Sequence, residues 1–363
     1  MSSHTYQPLG GDTDQIRLAI LDCKDDGIHI ELQTHSLANV PPYFALSYAW
    51  GDDKVMRSIL VDDCILAVRL NLWDGLHGLK ASASQLFEKA GGSQTFGPLA
   101  NELSSITVWI DALCINQSDN SERSHQVRLM GDIYKRASCV VSYLGPVSED
   151  SDEAMRALAQ IPNDHYGTVK DYWWADDKKF RRSMTKLLSR PYWTRLWVVQ
   201  EFKVAAQNLI LCGTFVLEWS KLYYFDKLIW EFVDSDLEIT KTPACWFIGS
   251  KEVGGPPFEP SYHLWSAVTF YSTKICADPR DKIYGLLALV DFRGEPPIEA
   301  DYSLSTEEVY QIFCAYVRRA PDLEGRYQRD YMEACRETMG LDVEKGEEMG
   351  EDMGEKMSVK MDI

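Results

Sequence analysis

The 363-residue chain lacks any run approaching the roughly 18 consecutive apolar residues of a membrane-spanning helix, so no membrane span is expected. Met1–Asp14 is polar and has no basic stretch leading into an apolar one, which argues against a secretory leader. No two cysteines are spaced C-x-x-C, and the seven histidines fall into no ligand spacing, so no metal site is expected. The nine cysteines (Cys23, Cys64, Cys114, Cys139, Cys212, Cys245, Cys276, Cys314 and Cys335) are odd in number and mostly set in apolar runs. That usage fits reduced core residues and a cytoplasmic or nuclear compartment; we take the location as cytoplasmic. Basic residues are few: 37 Lys and Arg face 55 Asp and Glu, for a formal charge of −18 and a pI near 4.8. Such a balance disfavours non-specific binding of DNA or RNA, which needs a basic surface. A glycine-rich phosphate loop is also missing, and the turn at Trp50-Gly51 is its nearest substitute.

What is plentiful is core-forming residues. Hydrophobic side chains make up 45%, with 11 Trp and 18 Tyr, enough to bury a large core and too many for a disordered chain. The opening is β-rich. Ile16–Cys23 and Ile28–Gln33 are short apolar runs split by the turn Asp25-Asp26-Gly27, and Pro41-Pro42 introduces a compact strand at Tyr43–Tyr48. Ser58–Val61 and Ile65–Val68 flank Asp62-Asp63 as a hairpin, and Leu72, Leu76 and Leu79 recur at helical spacing. Ala81–Ser105, with Gly91-Gly92 and many serines, reads as a surface insertion.

The middle of the chain has the clearest α/β pattern. Ile106–Asp111 is an apolar, β-branched run suited to a buried parallel strand. Asp119-x-x-Glu122 has the form of a capping box, after which Val127, Met130, Ile133, Tyr134 and Ala137 trace one helical face. Cys139–Leu144 is the next strand, which makes a βαβ unit. Helices are expected at Asp152–Ile161, Asp176–Leu188 and Trp193–Ala206, then a strand at Leu209–Cys212. Beyond it, Leu222–Val233, His263–Tyr271, Lys282–Val290 and Thr306–Val317 read as helices, and Ser235–Pro260 as a loop. From Leu341 to Ile363 eight acidic residues face three lysines, the composition of a disordered or loosely helical tail.

Chemistry is expected first at Arg195–Phe202, where Glu201 is a carboxylate set into an apolar helical run. Trp197 and Glu201 are four apart, hence on one helical face. A carboxylate among Leu196, Val198, Val199 and Phe202 faces desolvation. It is either a structural partner of Arg190, Arg195 or Lys203, or a working residue. Ligands of open parallel sheets bind where strands end. Two strands end in unusual polar loops, one with Ser47, Tyr48, Trp50, Gly51 and Asp52, the other with Asp111, Cys114, Asn116 and Gln117. If the strands are parallel neighbours, these loops converge, with Trp197 and Glu201 completing the wall. Each residue also has a structural reading: Trp197 and Cys114 as core, Asp111 as a cap, Asn116 and Gln117 as loop closure, and Asp278-Pro279-Arg280-Asp281 as a helix start.

Tyr43-Phe44-Ala45-Leu46-Ser47-Tyr48-Ala49-Trp50-Gly51-Asp52 resembles the opening signature of the fungal heterokaryon-incompatibility (HET) domain. Trp109–Gln117, followed by Glu122-Arg123, Gln126-Val127, Met130 and Ile133-Tyr134, resembles its central signature, and Arg190–Glu201 its third. Asp278–Tyr284 and Asp301-Tyr302-Ser303 fit longer members, so the resemblance runs from about Tyr6 to Val317. That family is itself distantly similar to Toll-receptor-like (TIR) domains. The resemblance implies an α/β fold with a TIR-like (flavodoxin-like) five-stranded parallel sheet and helices on both faces. It divides the chain into an N-terminal β-element (1–42), a HET core (43–213), a helical extension (214–320) and an acidic disordered tail (321–363). It further implies an effector of fungal non-self recognition and programmed cell death. In enzymatic TIR domains a glutamate four residues after a helical tryptophan cleaves NAD, and Trp197-Val198-Val199-Gln200-Glu201 resembles that motif. By this route Glu201 is the catalytic candidate, NAD the substrate, and Ser47, Tyr48, Trp50, Gly51, Asp111, Asn116, Gln117 and Trp197 the substrate-binding set. No cofactor is implied; the partners are further copies of the chain and an unknown incompatibility protein. The alternative is a non-catalytic signalling module acting through homotypic contacts.

Overall fold

The computed structural model describes residues 4–10, 14–96, 104–148, 151–161, 177–232, 238–248, 251, 258–320 and 323–341. Its spine is one nine-stranded sheet. The strands are β1 (Gln15–Asp22), β2 (His29–Ser36), β3 (Phe44–Tyr48), β4 (Met56–Val61), β5 (Cys64–Arg69), β6 (Ser105–Trp109), β7 (Cys139–Tyr143), β8 (Asn208–Cys212) and β9 (Phe215–Glu218). They lie in the order β5-β4-β2-β1-β6-β3-β7-β8-β9. Where five parallel strands were expected, four form a parallel block, β6-β3-β7-β8, in which Phe44 faces Val108 on one side and Cys139 on the other. Antiparallel strands flank it: β1 pairs Leu21 with Ile106, and β9 pairs Val216 with Leu211. The sheet is therefore mixed, and the N-terminal β-element extends it edge to edge.

All five residues of β3 and of β7 are buried, as expected for strands covered on both faces. The helices are α1 (Leu70–Ala81), α2 (Ala83–Lys89), α3 (Gly92–Phe96), α4 (Asp111–Cys114), α5 (Asn120–Arg136), α6 (Ser151–Ala159), α7 (Lys178–Leu188) and α8 (Trp197–Lys203). They continue with α9 (Trp219–Phe232), α10 (Cys245–Ile248), α11 (Leu264–Phe270), α12 (Asp281–Tyr284), α13 (Thr306–Arg319) and α14 (Gly325–Thr338). Phe44 stacks on Phe96 of α3 and meets Phe87 of α2 edge to face, whereas Ser47 meets α8 through Glu201. Side chains an odd number of positions apart in a strand point to opposite faces, so the two helical layers lie on opposite faces of the sheet.

Several expectations change. Ala81–Ser105 is not a surface insertion up to Phe96: Ala83, Leu86, Phe87 and Ala90 are buried and cover β3, because the apolar spacing in this serine-rich stretch is helical. The hairpin at Asp62-Asp63 forms with both residues at positive φ (49° and 59°), the twist that two-residue hairpins need. Asp119 caps α5 by accepting from Ser121 N and Glu122 N, but Glu122 does not reciprocate. Its carboxylate turns to Asn116 N (2.7 Å) and to the buried Arg17 (2.6 Å).

Trp193–Ala206 is not one helix. Pro191–Thr194 is a 3-10 turn, Arg195 is extended and bridges Ile275, and α8 starts only at Trp197. The bridge consists of Leu196 N to Ile275 O (2.9 Å) and Ile275 N to Thr194 O (2.7 Å), so residues far along the chain override local helical preference. Lys282–Val290 likewise splits into α12 and a 3-10 turn at Leu287–Leu289. The expected disordered tail begins too early: α14 packs on α11 and α13 with Cys335 and Met339 buried. The rest of that tail, from 342 onward, lies outside the described residues. Among the described residues no helix is long and apolar enough to cross a membrane.

Candidate functional site

β3 and β6 are parallel neighbours, so the loops after Tyr48 and Trp109 leave the sheet side by side. They are tied together where they emerge: the Trp50 indole Nε1 donates to Asp111 Oδ2 at 2.7 Å. Gly51, at φ +76°, allows the chain to turn back so that Trp50 reaches across. Asp111 opens the short helix α4 and also accepts from the Ala112 amide (2.7 Å) and the Tyr48 hydroxyl. Gln117 Nε2 closes the loop on Asp111 O (2.9 Å).

Above these loops lies a cleft of about 470 Å³. Trp50, Gly51, Asp111 and Gln117 form one wall, and Arg195 and Trp197 lie at the entry to α8. The opposite wall comes from Arg123 on α5 and from the C-terminal extension, notably Cys276, Asp278, Asp281 and Tyr302. The extension is fastened there by hydrogen bonds: Asp281 accepts from Trp197 Nε1 (2.9 Å) and from the Tyr302 hydroxyl (2.6 Å).

Glu201 stands behind this cleft rather than in its wall. It is 1% exposed, and its Oε2 accepts from Ser47 Oγ at 2.5 Å, with the Tyr192 hydroxyl 3.0 Å further along from Ser47. Trp197 and Glu201 share a helix face, but they are a full turn apart, and the cleft reaches only the first turn of α8. Neither bulk solvent nor an ion pair neutralises the carboxylate: among the described residues no cation lies within salt-bridge distance of it. Burial pushes its carboxyl up to about 7, opposed by the charge of Arg195 and reinforced by that of Asp111. Arg195 donates to Tyr48 O and is the nearest opposing charge to both Asp111 and Glu201. Burial also raises Asp111, and it lifts Asp281 to about 6 against its two hydrogen-bond donors.

Of the residues expected to bind a ligand, Trp50, Gly51, Asp111, Gln117 and Trp197 line the cleft. Ser47 and Tyr48 are buried behind it with Glu201, so they shape the floor and do not meet a ligand directly. Asn116 is off the wall: its Oδ1 accepts from Ser118 N and Oγ, which closes the loop. Cys114 is a core thiol, its pKa pushed up to about 12 by burial. Sequence reasoning missed Arg69, Arg123, Asp278, Asp281 and Tyr302 as cleft residues. The available signal was the charged block Asp278-Pro279-Arg280-Asp281 between apolar segments, read only as a helix start, which it also is.

Away from the cleft, Asp22, Asp25 and His29 are close enough to share a cation. They sit on the partly exposed β1–β2 hairpin, where His29 Nδ1 meets Asp25 Oδ2 at 3.2 Å, a surface contact.

Comparison with known proteins places these features. Residues 43–201 match the heterokaryon incompatibility protein (HET) family, a span that holds Trp50, Asp111, Arg123, Arg195, Trp197 and Glu201. Heterokaryon incompatibility protein 6, OR allele, of Neurospora crassa is 27% identical over an alignment covering 90% of this chain. The chain spans about 55% of that relative's length. No solved structure matches. The sequence signatures, the α/β sheet that carries them and the matched span agree: residues 43–201 are similar to the heterokaryon-incompatibility family.

Proposed function

We propose that this protein is an effector of fungal heterokaryon incompatibility whose cleft binds NAD or a related nucleotide. In this reading self-association drives hydrolysis of the nicotinamide–ribose bond with the help of Glu201, and the output is cell death. The observation that carries the reading is the make-up of the cleft at the carboxyl ends of β3 and β6. Arginines (Arg69, Arg123, Arg195) suit phosphates, Asp111 and Asp281 suit ribose hydroxyls, and the rings of Trp50, Trp197 and Tyr302 suit flat bases. The TIR-like character of the sheet belongs to the same proposal, supported by the parallel block and by the Trp197–Glu201 spacing.

In the reaction the C1′–N bond breaks and its electron pair goes to the nicotinamide nitrogen, which is cationic before cleavage and neutral after it. The leaving group needs no proton, so the general acid of ordinary glycosidases is dispensable. Water oxygen bonds to C1′ and its proton is released. What helps is a negative charge near the ribose as it becomes cationic. Glu201 supplies that charge once ionised, and Arg195, whose charge opposes that of Glu201, must turn toward the ligand's phosphates to unmask it. Contact with a neighbouring copy is the proposed trigger.

A second reading, a non-catalytic module signalling through homotypic contacts, draws on the seclusion of Glu201 behind the cleft wall. The two separate in one experiment: NAD consumption by concentrated purified protein, wild type beside Glu201→Gln. Loss of NAD with wild type and at least a hundredfold slower loss with the variant supports hydrolysis at Glu201. Equal rates, or none in either, remove it and leave the signalling module.

A further inference from the structure

Arg123 is built into the cleft in an unusual way. It leaves the first turn of α5 and lies over the Tyr302 ring, with its guanidinium carbon 3.8 Å from the ring centroid. Tyr302 is fixed at both ends: its hydroxyl donates to Asp281, and its amide donates to Ser124 Oγ at 3.1 Å. The acid nearest to Arg123 is Asp278, but the contact is long, at 3.5 Å. Asp278 is engaged elsewhere. Arg280 holds it bidentately, Nε to Oδ1 at 2.9 Å and Nη2 to Oδ2 at 2.6 Å. Arg280 in turn donates to the carbonyls of Tyr302 and Leu304, which fixes its orientation. The counter-ion of Arg123 is thus diverted to a second arginine, while the guanidinium is held over the ring and open to the cleft at 28% exposure. A planar cation that is pre-oriented, partly desolvated and weakly paired is an anion receptor, because little ordering entropy remains to be lost on binding.

We infer that Arg123, braced by Tyr302 and relieved of its counter-ion by Arg280, is the phosphate-binding residue of this cleft. Ligand recognition is then shared between the family domain and the segment that follows it. The inference rests on the nucleotide reading above and gives it a recognition element. Tyr302, Asp278 and Arg280 all lie beyond residue 201, so the matched span alone supplies the guanidinium without the platform that aims it.

The test is calorimetric titration of the full chain with ADP-ribose, inorganic pyrophosphate and nicotinamide riboside, which lacks the phosphates. Wild type, Arg123→Gln and Arg123→Lys are compared. Wild type binds ADP-ribose and pyrophosphate; Arg123→Gln weakens both by about ten- to a hundredfold, the range of a charge-assisted contact, with the riboside changed less than about twofold. Arg123→Lys falls between, since it keeps the charge and loses the planar guanidinium, and it serves if the glutamine variant does not fold. Equal ADP-ribose affinity across the three proteins overturns the inference and leaves the nucleotide reading standing. So does an equal loss for the riboside, which would make Arg123 a general shape element. Absence of binding of all three ligands to wild type removes both.

Discussion

Replacing Glu201 by glutamine isolates the electrostatic burden of the site. In the folded protein the Glu201 carboxyl is pushed up to about 7 from an ordinary 4.5, chiefly by burial. Between those two values the folded protein keeps a proton that the unfolded chain has released, so stability falls as pH rises. The slope is about 1.4 kcal/mol per pH unit, which accumulates to about 3 kcal/mol across the window. The contribution is fully present below the unfolded value and is lost as pH passes through the folded one. Glutamine is close in shape, still accepts from Ser47 Oγ and carries no charge. Any fixed cost of its amide group is independent of pH. Asp281, raised in the same direction, titrates in both proteins and drops out of the difference. The expected result is that Glu201→Gln gains on wild type by about 3 kcal/mol between pH 4.5 and pH 8, read as the shift of the urea midpoint at several pH values. Parallel curves for the two proteins would show that Glu201 is not buried as a strained carboxylate. In that event its ionisation could not be the step that arms the site.

Two further perturbations test the packing around the cleft. Glu122→Ala strands Arg17, which is 3% exposed and reaches the carboxylate at 2.6 Å, and should destabilise the protein by about 3–5 kcal/mol in chemical denaturation; a loss below about 1 kcal/mol would contradict a buried pair. Gly131 faces Ala288, where an added Cβ would stand 2.7 Å from the alanine Cβ. Gly131→Ala should therefore lower stability by about 1–3 kcal/mol, and Ala288→Gly in the same chain should recover part of the loss; strictly additive effects would place the two residues apart.

The strands were legible because each is a short apolar run closed by Asp, Gly or Pro, and such runs have few other uses. Tyr43–Tyr48 and Cys139–Leu144 are bounded in the structure almost as in the sequence. The convergence of the Trp50 and Asp111 loops followed from a rule about strand ends. Less legible was everything decided by partners distant in sequence. Arg195 sits in a pattern that favours helix, yet pairing with Ile275 holds it extended. The second wall of the cleft depends on a hydrogen bond between Trp197 and Asp281, 84 residues apart, and no periodicity encodes that distance. The seclusion of Glu201 was hidden for a related reason: helical spacing fixes which face a residue shares, but not how far a cavity extends along that face.

Charge illustrates the same division. A formal charge of −18 argues against a polyanion lying along the surface. It does not bear on a single phosphate entering the cleft. At physiological salt the field of distant carboxylates is screened beyond about 8 Å, so the local groups decide. There, Asp278 is paired with Arg280, and Arg69, Arg123 and Arg195 line the same cleft. An acidic protein thereby sets three arginines around one cleft. The same acidic exterior disfavours close approach of two copies, so self-association should strengthen as salt is raised, while binding of a phosphate ligand should weaken.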